Sequence, residues 1–289
     1  MTDFHPFIRI DPVAFSIGPL EVHWYGIMYL LAFLAFYTRG VWLARTRLWW
    51  GWSAEQVSDF LFYGMLGVVI GGRLGYVLFY GLENLLQDPL FLFKIWQGGM
   101  SFHGGLLGVI VVAIWFGRRT GRGFWATGDF VAPLVPIGLA LGRVGNFIGG
   151  ELWGRHSDAP WAMIFPNSIM QDGWKSPILY NEYLAGSLDN EARHPSQLYQ
   201  AALEGIALFL ILAWFSARPR PRGAVAGLFL VGYGVFRFIV EFFREPDRHL
   251  RYVAFDWLTM GQLLSVPMVL FGLGVMIWAY KKNNKTGDS

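Results

Sequence analysis

Long apolar stretches broken by short polar ones dominate the chain. Crossing a bilayer takes about 20 residues of helix, and seven stretches of that order occur, near 24–44, 57–80, 101–117, 125–148, 197–216, 224–243 and 258–280. The pattern predicts an all-α membrane protein of about seven transmembrane helices. Basic residues then set the direction. Arg45 and Arg47 follow the first span, Arg118, Arg119 and Arg122 the third, Arg218, Arg220 and Arg222 the fifth, and Lys281, Lys282 and Lys285 the seventh. All four clusters fall on one side, which the positive-inside rule makes the cytoplasm. The amino terminus is therefore expected outside and the carboxyl terminus inside, as an odd number of spans requires.

The opposite side receives the segments 81–100, 150–196 and 244–257, rich in Trp, Pro and Gly. Pro160, Pro166, Pro177 and Pro195 argue against one continuous helix in the longest of them. That stretch, 150–196, is expected to form a small periplasmic cap between the fourth and fifth helices, within a single integral membrane domain covering 1–289. The first twenty-odd residues lack the basic start and apolar run of a cleavable signal and read as an ordered leader.

Composition agrees with the pattern. The chain is 54% hydrophobic and 15% charged, where soluble domains carry about a quarter charged residues. Its net charge of +3 is dispersed in short clusters instead of lining one face, so nucleic acid is not an expected partner. It contains no cysteine, and any thiol chemistry must use a thiol from the substrate. The histidines do not have metal-ligand spacing, and neither a metal nor a cofactor is expected. No internal repeat stands out, which weighs against a transporter or flippase built from duplicated halves.

Candidate chemistry lies in polar residues within apolar runs. An arginine at mid-bilayer costs about 2.5–3.5 kcal/mol on insertion scales. Three arginines qualify: Arg73, Arg143 and Arg237. Each can pair structurally with a carboxylate or bind an outside anion. Tyr233, Arg237, Glu241 and Arg244 are spaced to share one helical face, a polar stripe with spare guanidinium donors. Arg143 and Asn146 share another face, with Glu151 just beyond. His103 begins the third span beside Gly104 and Gly105, as a structural histidine or as a proton acceptor. The ladder Gly67, Gly71 and Gly75 and its counterpart Gly138, Gly142, Gly145 and Gly149 suit close helix packing.

The run Gly142-Arg143-Val144-Gly145-Asn146-Phe147-Ile148-Gly149-Gly150-Glu151-Leu152-Trp153-Gly154 closely resembles the signature of the prolipoprotein diacylglyceryl transferases, G-R-x-G-N-F-x-N-x-E-x-x-G. Similar blocks are His23-Trp24-Tyr25-Gly26, Gly99 to Gly105, Arg193 to Tyr199 and Tyr233 to Arg244. Gly149 stands where the signature usually has Asn, so that position is given no polar role. The resemblance implies a seven-helix enzyme of the bacterial inner membrane, with its site towards the periplasmic leaflet. Such an enzyme moves the diacylglyceryl group of phosphatidylglycerol to the lipobox cysteine of a prolipoprotein signal peptide, makes a thioether and releases glycerol phosphate. It also implies which positions matter: Tyr25, His103, Arg143, Asn146, Glu151, Gly154, Tyr233, Arg237, Glu241 and Arg244. On that reading His103 is the base and Arg143 with Arg237 the phosphate clamp. Asn146 and Tyr25 orient the substrates, and Glu151 and Glu241 hold the arginines.

Overall fold

The computed structural model describes residues 5–246, 252–255 and 257–287. A hairpin of β1 (Val13–Ile17) and β2 (Leu20–His23) runs into α1 (Trp24–Thr46). Next come α2 (Ala54–Tyr80), a short α3 (Leu82–Gln87), α4 (Phe102–Arg119), α5 (Phe124–Val131) and α6 (Val135–Ile148). The insertion 150–196 contains β3 (Met163–Ile164), α7 (Pro166–Ile169), α8 (Pro177–Leu184) and β4 (Ala192–Arg193). Beyond it are α9 (Ser196–Gln200), α10 (Leu208–Phe215), α11 (Ala224–Val240), the short strands β5 (Tyr252–Ala254) and β6 (Leu258–Thr259), and α12 (Met260–Gly287). The chain divides into two compact units, residues 1–35 with 132–289, and residues 36–131.

Six helical stretches are long and apolar enough to cross a membrane: Trp24–Thr46, Ala54–Tyr80, Phe102–Arg119, Phe124–Ile148, Ser196–Phe215 and Met260–Asn284. Ala224–Val240 is a shorter apolar helix. Leu30, Leu107, Val111, Leu210, Trp214 and Leu270 on these helices are all at least 60% exposed, which only a lipid solvent tolerates so widely. The chain is a multi-pass membrane protein.

Three spans depart from plain helices, each for a local reason. Between α5 and α6 the backbone tightens into a 3-10 turn at Ala132–Leu134, where Pro133 and Pro136 cannot donate to the ladder. Between α9 and α10 it widens into a π-helical stretch, Ala201–Ala207. In the sixth span α11 stops at Val240, short of the expected 243; the Glu241 amide still bonds to Arg237, and those of Phe242 to Arg244 fold back on Ile239 and Val240.

In the 36–131 unit, α2 begins with a reciprocal cap between Ser53 and Gln56, and α4 begins with Ser101 accepting from the Gly104 amide. The glycine ladder lets these two helices touch backbone to backbone. A methyl on Gly71 would run into the Gly104 carbonyl, and one on Gly108 into that of Gly67. Trp52 stacks on Phe130 at 4.1 Å and on Phe116 at 5.4 Å, filling the far end.

The insertion has its own small core of Ala162, Ile164, Leu179, Leu188 and Ala192. Its sheet pairs Met163 with Arg193 and Ile164 with Ala192. The leader joins it: Ile8 N–H donates to the Ile164 carbonyl and Ile164 N–H to that of Pro6, both at 2.9 Å, while Phe7 packs on the core.

Candidate active site

The site in the 1–35 and 132–289 unit grows from the end of α6. Two helical amides close on Gly145 and Phe147, Gly150 turns with φ +63°, and the Glu151 amide returns to the Asn146 carbonyl. The chain then crosses the start of α9 as a strap. Gln197 Nε2 donates to the Glu151 carbonyl at 2.6 Å, and Ser196 Oγ to that of Leu152 at 2.9 Å. Gly154 is the tightest point of this strap. Its N–H goes to the His194 carbonyl, its own carbonyl accepts from Arg193, and a Cβ there would lie 2.5 Å from the Phe243 carbonyl.

Across the strap stand the turns after α11. Arg155 N–H donates to the Phe243 carbonyl at 3.0 Å, Arg155 Nε to that of Arg244 at 3.0 Å, and Gly154 bridges Arg244. Arg244 therefore lies in a bridge to Gly154 and not on the helix. It still meets the stripe, with Nη1 3.6 Å from Glu241 Oε1. Arg237 Nη2 is 2.9 Å from Glu241 Oε2, and its Nη1 is 3.8 Å from Glu204 Oε1. Glu204 and Glu241 are 1% and 2% exposed, so burial alone would be prohibitive without these cations.

Arg143 completes the cluster as the odd charge. Glu204, Arg237, Tyr233 and Arg244 all interact with it electrostatically. Its hydrogen bond is a long one, Nη1 to Asn146 Oδ1 at 3.4 Å, and among the described residues no carboxylate pairs with it. Three guanidinium groups thus face two carboxylates. The balance is positive, and Arg143 carries the donors left over.

Tyr25 packs against Gly145, where an added Cβ would sit 3.0 Å from the ring, and it interacts electrostatically with Arg143. Its hydroxyl is 3.2 Å from that of Tyr29. Glu151 interacts electrostatically with Tyr25 and borders a cleft beside it. Among the described residues Glu151 pairs with no arginine, so the expectation that it holds one is corrected. The physical reason is the turn at Gly149-Gly150, which carries Glu151 out of the helical face that bears Arg143.

A model of the prolipoprotein diacylglyceryl transferase family matches residues 12–278. The chain belongs to this family. It is 55% identical to a curated relative from Vibrio vulnificus (strain CMCP6) over 282 residues, 96% of this chain and 95% of that one. It is also 55% identical to relatives from Aliivibrio salmonicida (strain LFI1238), covering 96% and 90%, and Vibrio cholerae serotype O1 (strain ATCC 39315 / El Tor Inaba N16961), covering 96% and 94%. All three are named phosphatidylglycerol-prolipoprotein diacylglyceryl transferase.

Within this transferase-family fold, nine of the ten expected residues lie in one unit: Tyr25, Asn146, Glu151, Gly154, Tyr233, Glu241 and the arginines 143, 237 and 244. His103 belongs to the 36–131 unit, as the second residue of α4. It is exposed, lies 5.7 Å from the Phe102 ring, and has no hydrogen bond among the described residues.

Two residues acquire roles the sequence left open. Arg73, only 3% exposed, spends all its nitrogens on carbonyls of Phe91, Leu92, Lys94, Gly98 and Gly99. It is a clasp for the segment leading into α4. His194 Nδ1 is 3.1 Å from the Tyr199 hydroxyl, which also accepts from Trp161 Nε1 at 2.7 Å. Burial lowers the His194 pKa. Of the other histidines, His249 lies outside the described residues.

Glu204 was missed. It is the only acidic residue in the fifth apolar stretch, and an ionisable group there is a functional candidate by default. The π-helical stretch around Glu204 is itself a frequent mark of a functional position.

Proposed function

We propose that this chain transfers the diacylglyceryl group of phosphatidylglycerol to the thiol of the lipobox cysteine of a prolipoprotein. The observation that carries the reading is the unbalanced cation at Arg143 beside the carboxylate-held Arg237 and Arg244. A lipid phosphate is the anion of matching size and charge at membrane depth.

In the reaction, the thiol sulfur attacks the glycerol carbon of the diacylglyceryl group that is bonded to the phosphate oxygen. The carbon–sulfur bond forms as the carbon–oxygen bond breaks. The oxygen and its electron pair leave with glycerol phosphate, and the thiol proton passes to a base. Arg143 and Arg237 stabilise the charge growing on the leaving phosphate. Glu241 and Glu204 fix Arg237, so that its fork is oriented before substrate arrives. Asn146 and Tyr25 orient the headgroup and thiol, Tyr233 stays near the guanidinium groups, and Gly154 permits the tight strap. His103, with an uncommitted imidazole, is the proton acceptor in this reading.

The site is assigned to the periplasmic leaflet of the bacterial inner membrane, with the insertion 150–196 as a cap in a single membrane domain. With the shorter apolar helix Ala224–Val240 counted as a seventh span, this reading puts the amino terminus outside. The basic clusters after the first, third, fifth and seventh spans support that direction.

Purified protein incubated with phosphatidylglycerol and a lipobox peptide should yield a peptide heavier by one diacylglyceryl group through a thioether, together with free glycerol phosphate. A flippase would move labelled lipid between leaflets and leave the peptide mass unchanged.

A further inference from the structure

A cleft of about 1030 Å³ opens between the start of α1, the end of α6 and the insertion, all in the 1–35 and 132–289 unit. Tyr25, Gly145 and Glu151 border it, so it begins beside the residues assigned to substrate orientation. Arg143 and Arg237 are not among its walls. Its volume is at the upper end for a small-molecule pocket, roughly 300–1,000 Å³, and it is open enough to hold a stretch of chain.

Its chemistry suits a peptide better than a phosphate. Trp24, Trp153 and Trp174 supply flat apolar walls, and Gln171 supplies an amide able to meet a main chain, while that of Asn167 is bonded to the backbone of Gly149 and Trp174. The charged residues of the lining are Glu151 and Asp172, while Arg9 and Lys175 contact the wall residue Trp174 without lining the cleft themselves. Glu151 has no ion-pair partner among the described residues. An anionic phosphate is therefore drawn to the cluster of Arg143, Arg237 and Arg244 in preference to this cleft.

The second substrate has two halves. The apolar signal helix belongs in lipid, and only the chain on the carboxyl side of the cysteine leaves the membrane as polar, extended backbone, about 3.3 Å per residue. We infer that this cleft receives the first few residues following the substrate cysteine and favours neutral or cationic side chains among them. The inference rests on the transferase reading of the adjoining site and adds a specificity determinant to it.

Two measurements on the full-length protein in phosphatidylglycerol vesicles test it. A lipobox peptide bearing benzoylphenylalanine two residues after its cysteine should, on irradiation, label the stretch 167–174; labelling confined to other segments would overturn the proposal. In the second, peptides differing only in Lys or Asp after the cysteine should differ about fivefold in kcat/KM at low ionic strength, with Lys preferred, and the gap should shrink at high salt. Asp172→Asn should narrow that gap. Equal rates for Lys and Asp peptides in the unaltered protein, or a gap untouched by Asp172→Asn, would also overturn the cleft assignment. Failure to modify even a neutral peptide would instead sink the transferase reading, so the two failures are distinguishable.

Discussion

Arg237 lies between two buried carboxylates, 2.9 Å from Glu241 and 3.8 Å from Glu204, and so joins the end of α11 to the π-helical stretch before α10. Removing one partner of a buried pair leaves an uncompensated charge, which costs about 3–5 kcal/mol. Glu204→Gln keeps the shape and removes the charge. It should lower the thermal midpoint in detergent and cut turnover by about tenfold or more, because the guanidinium loses its fixed aim. Unchanged stability and turnover together would show that Glu204 neither balances nor positions Arg237.

Arg73 makes the opposite prediction for substrate. Its donors are all committed to backbone carbonyls between Phe91 and Gly99. A lysine in its place offers a point charge without the planar fork, and each carbonyl left dry costs about 1–3 kcal/mol. Arg73→Lys should therefore lower the thermal midpoint with no change in KM for phosphatidylglycerol. A raised KM with an unaltered midpoint would put Arg73 in the lipid site.

Much of this was legible in the sequence, and the remainder has definite physical causes. Lipid solvent imposes long apolar helices, so the spans could be read from hydropathy alone. The small sheet joining Ile164 to Ala192, with Ile8 hydrogen-bonded beside it, could not, because two-residue strands have no periodicity and are fixed by tertiary contacts. The stripe Tyr233, Arg237 and Glu241 followed from helical spacing. Arg244 was expected on the same helix, yet it reaches Glu241 from its bridge to Gly154, after α11 ends at Val240. Glu151 was expected to hold an arginine, but the glycine turn before it carries it off the helical face that bears Arg143. Glu204 was visible as a lone acid in an apolar run, but its partner Arg237 is 33 residues on, and no local spacing connects them.

His194 gives a pH dependence whose sign is fixed. Burial lowers its pKa below the ordinary 6.5, so the folded state resists protonation more than the unfolded state does. The corresponding stability is present above pH 6.5 and is lost as pH falls from there through the folded value. The thermal midpoint should decline between pH 7 and pH 5, and His194→Asn, which retains an acceptor for Tyr199, should flatten that decline. An identical slope in the variant would assign the pH response to another group.

The proposed chemistry has Arg143 grip the lipid phosphate with a fork that no carboxylate among the described residues occupies. The most direct measurement is kcat/KM for phosphatidylglycerol in Arg143→Lys, taken with the thermal midpoint. Loss of bidentate, charge-assisted contact predicts a fall of about a hundredfold at an unchanged midpoint. Turnover close to that of the unaltered protein would contradict the clamp.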